Sequence, residues 1–222
     1  MSVFLFGLLA APLCSQDRTA SQTSSSEDAP AAFEGKEEAE KEDAEAVQMA
    51  EDLPKTPWSL TLYGAFHTTE KVGWAFLPPT DLEGGYGLVA GAVSYRVTTI
   101  AERADVEIEG QIVKHFGSGS AELNALVIGR WIRFPWNDKL RTTVALGVGF
   151  SRATSIPAFE ALTHETTAQL LTYVMFEGTL THPDSRHWAF AYRIHHRSGF
   201  FGAFNGVRGA SNALGFGVKY QW

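Results

Sequence analysis

From Trp58 onward, apolar and polar positions alternate with a period of two, in segments of about ten residues punctuated by turn signals. Leu60, Leu62 and Phe66 alternate with Thr61, Tyr63 and His67. Gly85–Val97 is a Gly-rich segment with Val89, Val93, Tyr95 and Val97 on one face. Val106, Ile108 and Ile112 alternate with Asp105, Glu107, Glu109 and Gln111. Residues 120–134 read as a fourth strand and residues 166–181 as a sixth. Between them, Thr142, Val144, Leu146, Val148 and Phe150 face away from Arg141, Thr143, Ala145 and Ser151. In the seventh, Trp188, Phe190, Tyr192 and Ile194 oppose Ala189, Ala191, Arg193, His195 and Arg197. In the eighth, Leu214, Phe216, Val218, Tyr220 and Trp222 oppose Ala213, Gly215, Gly217 and Lys219. An even number of such segments predicts an all-β fold, an eight-stranded antiparallel transmembrane β-barrel over residues 57–222.

Alternation alone also suits a soluble ligand-binding barrel. Two patterns favour the membrane. Strands that start from a periplasmic N-terminal tail bring Trp58, Trp131, Trp136, Trp188 and Trp222 to one rim, as an interfacial belt requires. Connections at that rim are short (98–103, 135–139, 182–186), whereas 68–84 and 152–165 on the other side are long. The short connection around Gly117–Gly119 breaks this rule. No apolar run is long enough for a spanning helix.

Composition adds a tail. Between Ser15 and Thr56 there are twelve acids and four bases, a net of −8, whereas the remainder from Pro57 carries +1. The overall −7 therefore belongs to residues 16–56, a Ser-, Ala- and Glu-rich linker that buries too little apolar surface to order. Residues 1–15 carry a short apolar run suited to a signal segment, although without the usual basic start. The single cysteine, Cys14, excludes an intramolecular disulfide.

Candidate chemistry is confined to the end of the seventh strand. His196 and Ser198 are two apart, so both side chains leave from one face, the face of Trp188, Phe190, Tyr192 and Ile194. A histidine within reach of a serine hydroxyl can take its proton as the oxygen attacks an ester. Polar residues at a barrel rim are also common simply because strands project beyond the hydrocarbon. A pair facing lipid would suit a substrate embedded in the same leaflet.

The run His196-Arg197-Ser198-Gly199, late in the chain and followed by a last strand ending on an aromatic residue, resembles the outer-membrane lipid A 3-O-deacylases of the PagL type. The likeness covers about residues 187–222. It implies ester hydrolysis at the 3-position of lipid A without cofactor, with Ser198 as nucleophile and His196 as base. The family has an acid about fourteen positions past the histidine. Here that place is near Ala210, and residues 205–212 contain no acid. Asn212 or Asn205 are the candidate orienting groups, Asn212 preferred as the outward-facing one, with Glu160 or Glu165 as distant substitutes. The family's asparagine after the serine is Gly199 here, whose backbone N–H is the candidate oxyanion donor.

Other residues are expected to serve structure or contact lipopolysaccharide. Arg193 and His195 should pair in the lumen with Glu107, Glu109 or Glu177. Arg197 and Arg208 could meet lipid phosphates. Phe200, Phe201 and Phe204 form an aromatic rim suited to an acyl chain. The histidines lack metal-ligand spacing, so no metal is expected. Nothing suggests nucleic-acid binding. The competing expectation is a non-catalytic outer-membrane barrel, structural or adhesive, that has lost the acid.

Overall fold

A computed structural model of the chain describes residues 57–69, 82–117 and 119–222. The expected signal segment, the acidic linker and most of the first long connection lie outside these residues.

The described chain is a closed eight-stranded antiparallel barrel in which each strand pairs with its sequence neighbours and the last pairs with the first. The strands are β1 (Trp58–Thr68), β2 (Leu82–Ile100), β3 (Ala104–His115), β4 (Ala121–Trp131), β5 (Arg141–Ala153), β6 (Leu170–Thr181), β7 (Trp188–Ser198) and β8 (Ala210–Gln221). One short helix, α1 (Ala158–Thr163), interrupts the β5–β6 connection. Among the described residues no helix is long and apolar enough to cross a membrane.

Period-two alternation becomes inside and outside. In β3 every second residue is buried, Asp105, Glu107, Glu109, Gln111, Val113 and His115. Their neighbours Ile108 and Ile112 are 50% and 67% exposed, on the outer wall. This is the inverse of a soluble barrel, since the apolar face is outside and the charged face is dry. Trp58, Trp131, Trp136, Trp188 and Trp222 are exposed around the rim where β1 begins and β8 ends.

The interior is packed with ion pairs, as buried charge requires. Arg193 grips Glu109 with both terminal nitrogens (2.9 and 2.7 Å), and its Nε donates to Glu177 at 2.5 Å. Arg130 holds Glu107 at 2.7 Å and Glu177 at 2.7 Å, and Lys219 reaches Glu177 at 2.9 Å. Three acids thus meet three bases. Nearer the loops, Glu122 lies between His115 Nε2 (2.5 Å) and His195 Nε2 (3.1 Å). His195 is therefore partnered by Glu122, not by the three expected acids. The hydroxyls of Tyr63 and Tyr173 lie 3.1 and 3.2 Å from its Nδ1.

α1 closes the lumen from above. Phe159 stacks on His67 with ring centroids 4.6 Å apart, and the buried Glu160 bonds Arg197 and accepts from Ser211 Oγ at 2.8 Å. This corrects two expectations. Residues 166–169 belong to the plugging connection, so β6 starts later than the apolar pattern suggested. Arg197 is 1% exposed inside the barrel, with Nε donating to Ser151 at 2.8 Å, and cannot meet lipid phosphate. The fourth strand likewise ends at Trp131, because residues 132–140 turn back: Asn137 Nδ2 donates to Ile132 O at 2.8 Å.

Candidate active site on the outer wall

Strand register assembles the site. In β7 the outward residues run Trp188, Phe190, Tyr192, Ile194, His196, Ser198, so apolar gives way to polar in the last turn of the pleat. His196 pairs with Val174 on β6 and Asn212 on β8. Ser198 pairs with Thr172 on β6 and Ala210 on β8. Asn212 pairs in turn with Thr68 on β1. Thr172, Ser198, His196, Asn212 and Thr68 therefore form one polar row across four strands, at the loop end of an otherwise apolar wall.

Within the row, His196 Nδ1 and Asn212 Oδ1 are 2.6 Å apart. An amide oxygen only accepts, so Nδ1 carries the proton and Nε2 presents its lone pair. That is the tautomer a general base needs. Asn212 is 5% exposed and His196 half-buried, which keeps the bond out of water. Ser198 is not bonded to His196 here. Its hydroxyl lies 3.2 Å from Thr172 Oγ1, and Thr172 Oγ1 donates to the Ser198 carbonyl at 2.6 Å.

Below the row lies an apolar shelf. Ile194 and Leu214, both outward but nearly fully covered, pack with Phe176 and Tyr192. Phe66 pairs in register with Leu214 and Phe176 with Ile194, while Val174 lies one outward position further along β6, opposite His196. Above it, the connection between β7 and β8 folds outward over β6 and β5. Phe204 lies 5.5 Å from Phe150, and Asn205 Nδ2 donates to Leu170 O at 2.9 Å. At its tip Phe200 and Phe201 are 59% and 93% exposed, both with left-handed backbone (φ 47° and 57°).

The remaining expected groups are elsewhere. Asn205 is held at the β6 edge and does not orient His196. Glu160 sits inside the barrel on Arg197, across the wall from His196, so it cannot reach the imidazole either. Glu165 is exposed in the plugging connection. Gly199 is buried, and its N–H points across the loop base to Gly209 O at 3.4 Å instead of toward an open oxyanion position. Its role is steric: a Cβ there would lie 2.0 Å from the Val207 carbonyl oxygen. Among the described residues no carboxylate bonds to His196, and no group of His, Cys, Asp or Glu is arranged to hold a metal ion. Thr172 was missed in the sequence, because only register couples it to Ser198.

No family model matches the sequence, and no curated protein matches it. Solved structures do. The outer membrane enzyme PagL aligns with a TM-score of 0.52 at 10% identity, over 73% of this chain and 99% of that one. The N-terminal β-barrel domain of Pseudomonas aeruginosa OprF gives 0.42 at 13% identity, over 74% and 96%. OprG from the same organism gives 0.40 at 10% identity, over 77% and 98%. At such identity the likeness to PagL defines the fold, an eight-stranded outer-membrane barrel, and leaves the chemistry to the residues.

Proposed function

We propose that the protein is an outer-membrane ester hydrolase that removes an acyl chain from lipid A or a related acylated glycolipid, with its N-terminal tail in the periplasm. The observation that carries this reading is the bond from His196 Nδ1 to Asn212 Oδ1, beside Ser198 on a wall that otherwise faces hydrocarbon. An ester at the level of the row, with its acyl chain along the accessible side chains of Phe66, Val174 and Tyr192, would meet it directly.

In the reaction, Ser198 Oγ attacks the ester carbonyl while His196 Nε2 takes the hydroxyl proton. The acyl C–O bond then breaks, and His196 returns the proton to the departing sugar oxygen. Water, deprotonated by the same nitrogen, releases the fatty acid and restores Ser198. Asn212 keeps the imidazole in the correct tautomer without adding charge. Phe200 and Phe201 offer an aromatic wall to the acyl chain beside Ser198.

The test is mass spectrometry of lipid A from cells expressing the wild type beside cells expressing Ser198→Ala or His196→Ala, with barrel folding checked by heat-modifiable migration. Loss of one acyl chain in the wild type alone is expected. A second reading, a barrel without chemistry, is favoured by the Ser198 hydroxyl lying on Thr172 and by the lack, among the described residues, of a carboxylate on His196. Identical spectra from all three folded barrels would establish it against the hydrolase.

A further inference from the structure

We propose that Thr172 holds Ser198 in a resting state, so that cleavage waits for a bound substrate to turn the serine hydroxyl from Thr172 toward His196. The inference rests on the reading of Ser198 as nucleophile.

Proton counting carries it. A carbonyl oxygen has no proton to give, so at 2.6 Å from the Ser198 carbonyl the single hydroxyl proton of Thr172 is committed there. The second contact, 3.2 Å between Thr172 Oγ1 and Ser198 Oγ, then has one possible donor, Ser198. Its proton therefore points toward β6. His196 lies on the same strand as Ser198 but is bonded toward β8, through Asn212. The base is thus prepared, with its Nε2 lone pair unengaged among the described residues, while the proton it should take faces the other way.

Burial makes the hold effective. Thr172 is 8% exposed, so water competes poorly for its oxygen. The hold is also weak enough to release. One neutral hydrogen bond shifts an equilibrium by a factor of roughly three to ten, which the binding energy of an acyl chain on the shelf can offset. Rotation of the serine about its Cα–Cβ bond releases Thr172 and redirects the hydroxyl without moving the backbone. Thr172 is in this scheme a positioning residue, and Ser198 an intrinsically slow nucleophile until a substrate is seated.

The experiment uses a fluorophosphonate probe on the full-length barrel folded in detergent micelles. Ser198 Oγ bonds to phosphorus, the P–F bond breaks and fluoride leaves. The serine proton passes to His196 Nε2 and then to buffer. Adduct formation at Ser198 is timed by peptide mass spectrometry for wild type, Thr172→Val and Thr172→Ser, each shown folded by heat-modifiable migration. Thr172→Val removes the acceptor at constant shape and should label roughly three- to tenfold faster. Thr172→Ser keeps both bonds and should label at the wild-type rate. Thr172→Ala replaces the valine variant if that barrel does not fold. A purely structural Thr172 would slow labelling on removal. If wild-type Ser198 is labelled and the acceptor-free variant is no faster, the resting hold is refuted while the nucleophile stands. If no variant is labelled at Ser198, the nucleophile reading fails and the hold fails with it.

Discussion

Asn212 occupies the place where a charged orienting group would do most. It is the register partner of His196, whereas the position fourteen residues past the histidine, Ala210, is the register partner of Ser198. Asn212→Asp should therefore put a carboxylate on Nδ1 and stabilise the imidazolium that forms during attack. Labelling of Ser198 by the phosphonate should rise at least tenfold, while Asn212→Ala should lower it by a similar factor, since one hydrogen bond to a group that becomes charged contributes about 1.5–3 kcal/mol. Rate constants for the three folded barrels check this. A fall with Asp would mean that Asn212 does not orient the base. That His196 and Ser198 share an outward face was legible in the sequence, because a two-residue spacing on a strand needs no partner to interpret. Asn212 was legible too, as the outward-facing candidate on the next strand. Thr172 was not, because a slip of one residue in pairing changes every cross-strand partner and no pattern within one strand couples it to Ser198. His195 shows the same limit: its inward direction follows from alternation, but its partner Glu122 comes from a strand three places away.

At the scale of elements, alternation located all eight strands, and the departures came where other forces override it. Residues 158–163 form α1 because Phe159 and Glu160 find partners in the lumen, His67 and Arg197, that no local pattern announces. The connection between β2 and β3 is a three-residue turn in which Ala101 and Glu102 both have positive φ (48° and 54°). Two such central residues define the turn that matches strand twist, which prefers Asn-Gly. Replacing Ala101→Asn together with Glu102→Gly should stabilise the barrel by about 1 kcal/mol or more, since each left-handed L-residue costs roughly 1–2 kcal/mol. A higher urea midpoint for reversible folding into detergent is the expected result. No change would place the strain elsewhere in the hairpin. Gly199 marks the opposite case, a tight loop that already has the residue its geometry demands.

For the whole molecule, the ion-pair lattice shares the interior with two apolar clusters, one around Leu88 and Val113 and one around Ile128 and Met175. Arg193 is its hub, fully buried and shared between Glu109 and Glu177. Removing one member of such a set leaves an uncompensated buried charge, typically 3–5 kcal/mol. Arg193→Met should therefore lower folding stability by about that amount, read from the same urea titration, with Glu109→Gln added to restore part of the loss. An unshifted midpoint in the single variant would show that the carboxylates are neutral or hydrated. The lattice is held by five strands, so it also fixes the register on which the outer row of Thr172, Ser198, His196 and Asn212 depends.

The same filling decides how the barrel behaves toward ions. Arg130, Arg193, Tyr63, Tyr173, His195 and Arg197 fill the bore, and Phe159 with Glu160 stoppers its mouth. Inserted into a planar bilayer under voltage, the protein should give no step currents, unlike a porin of similar architecture. A cell can then carry many copies without admitting the small hydrophilic toxins that its outer permeability barrier exists to exclude.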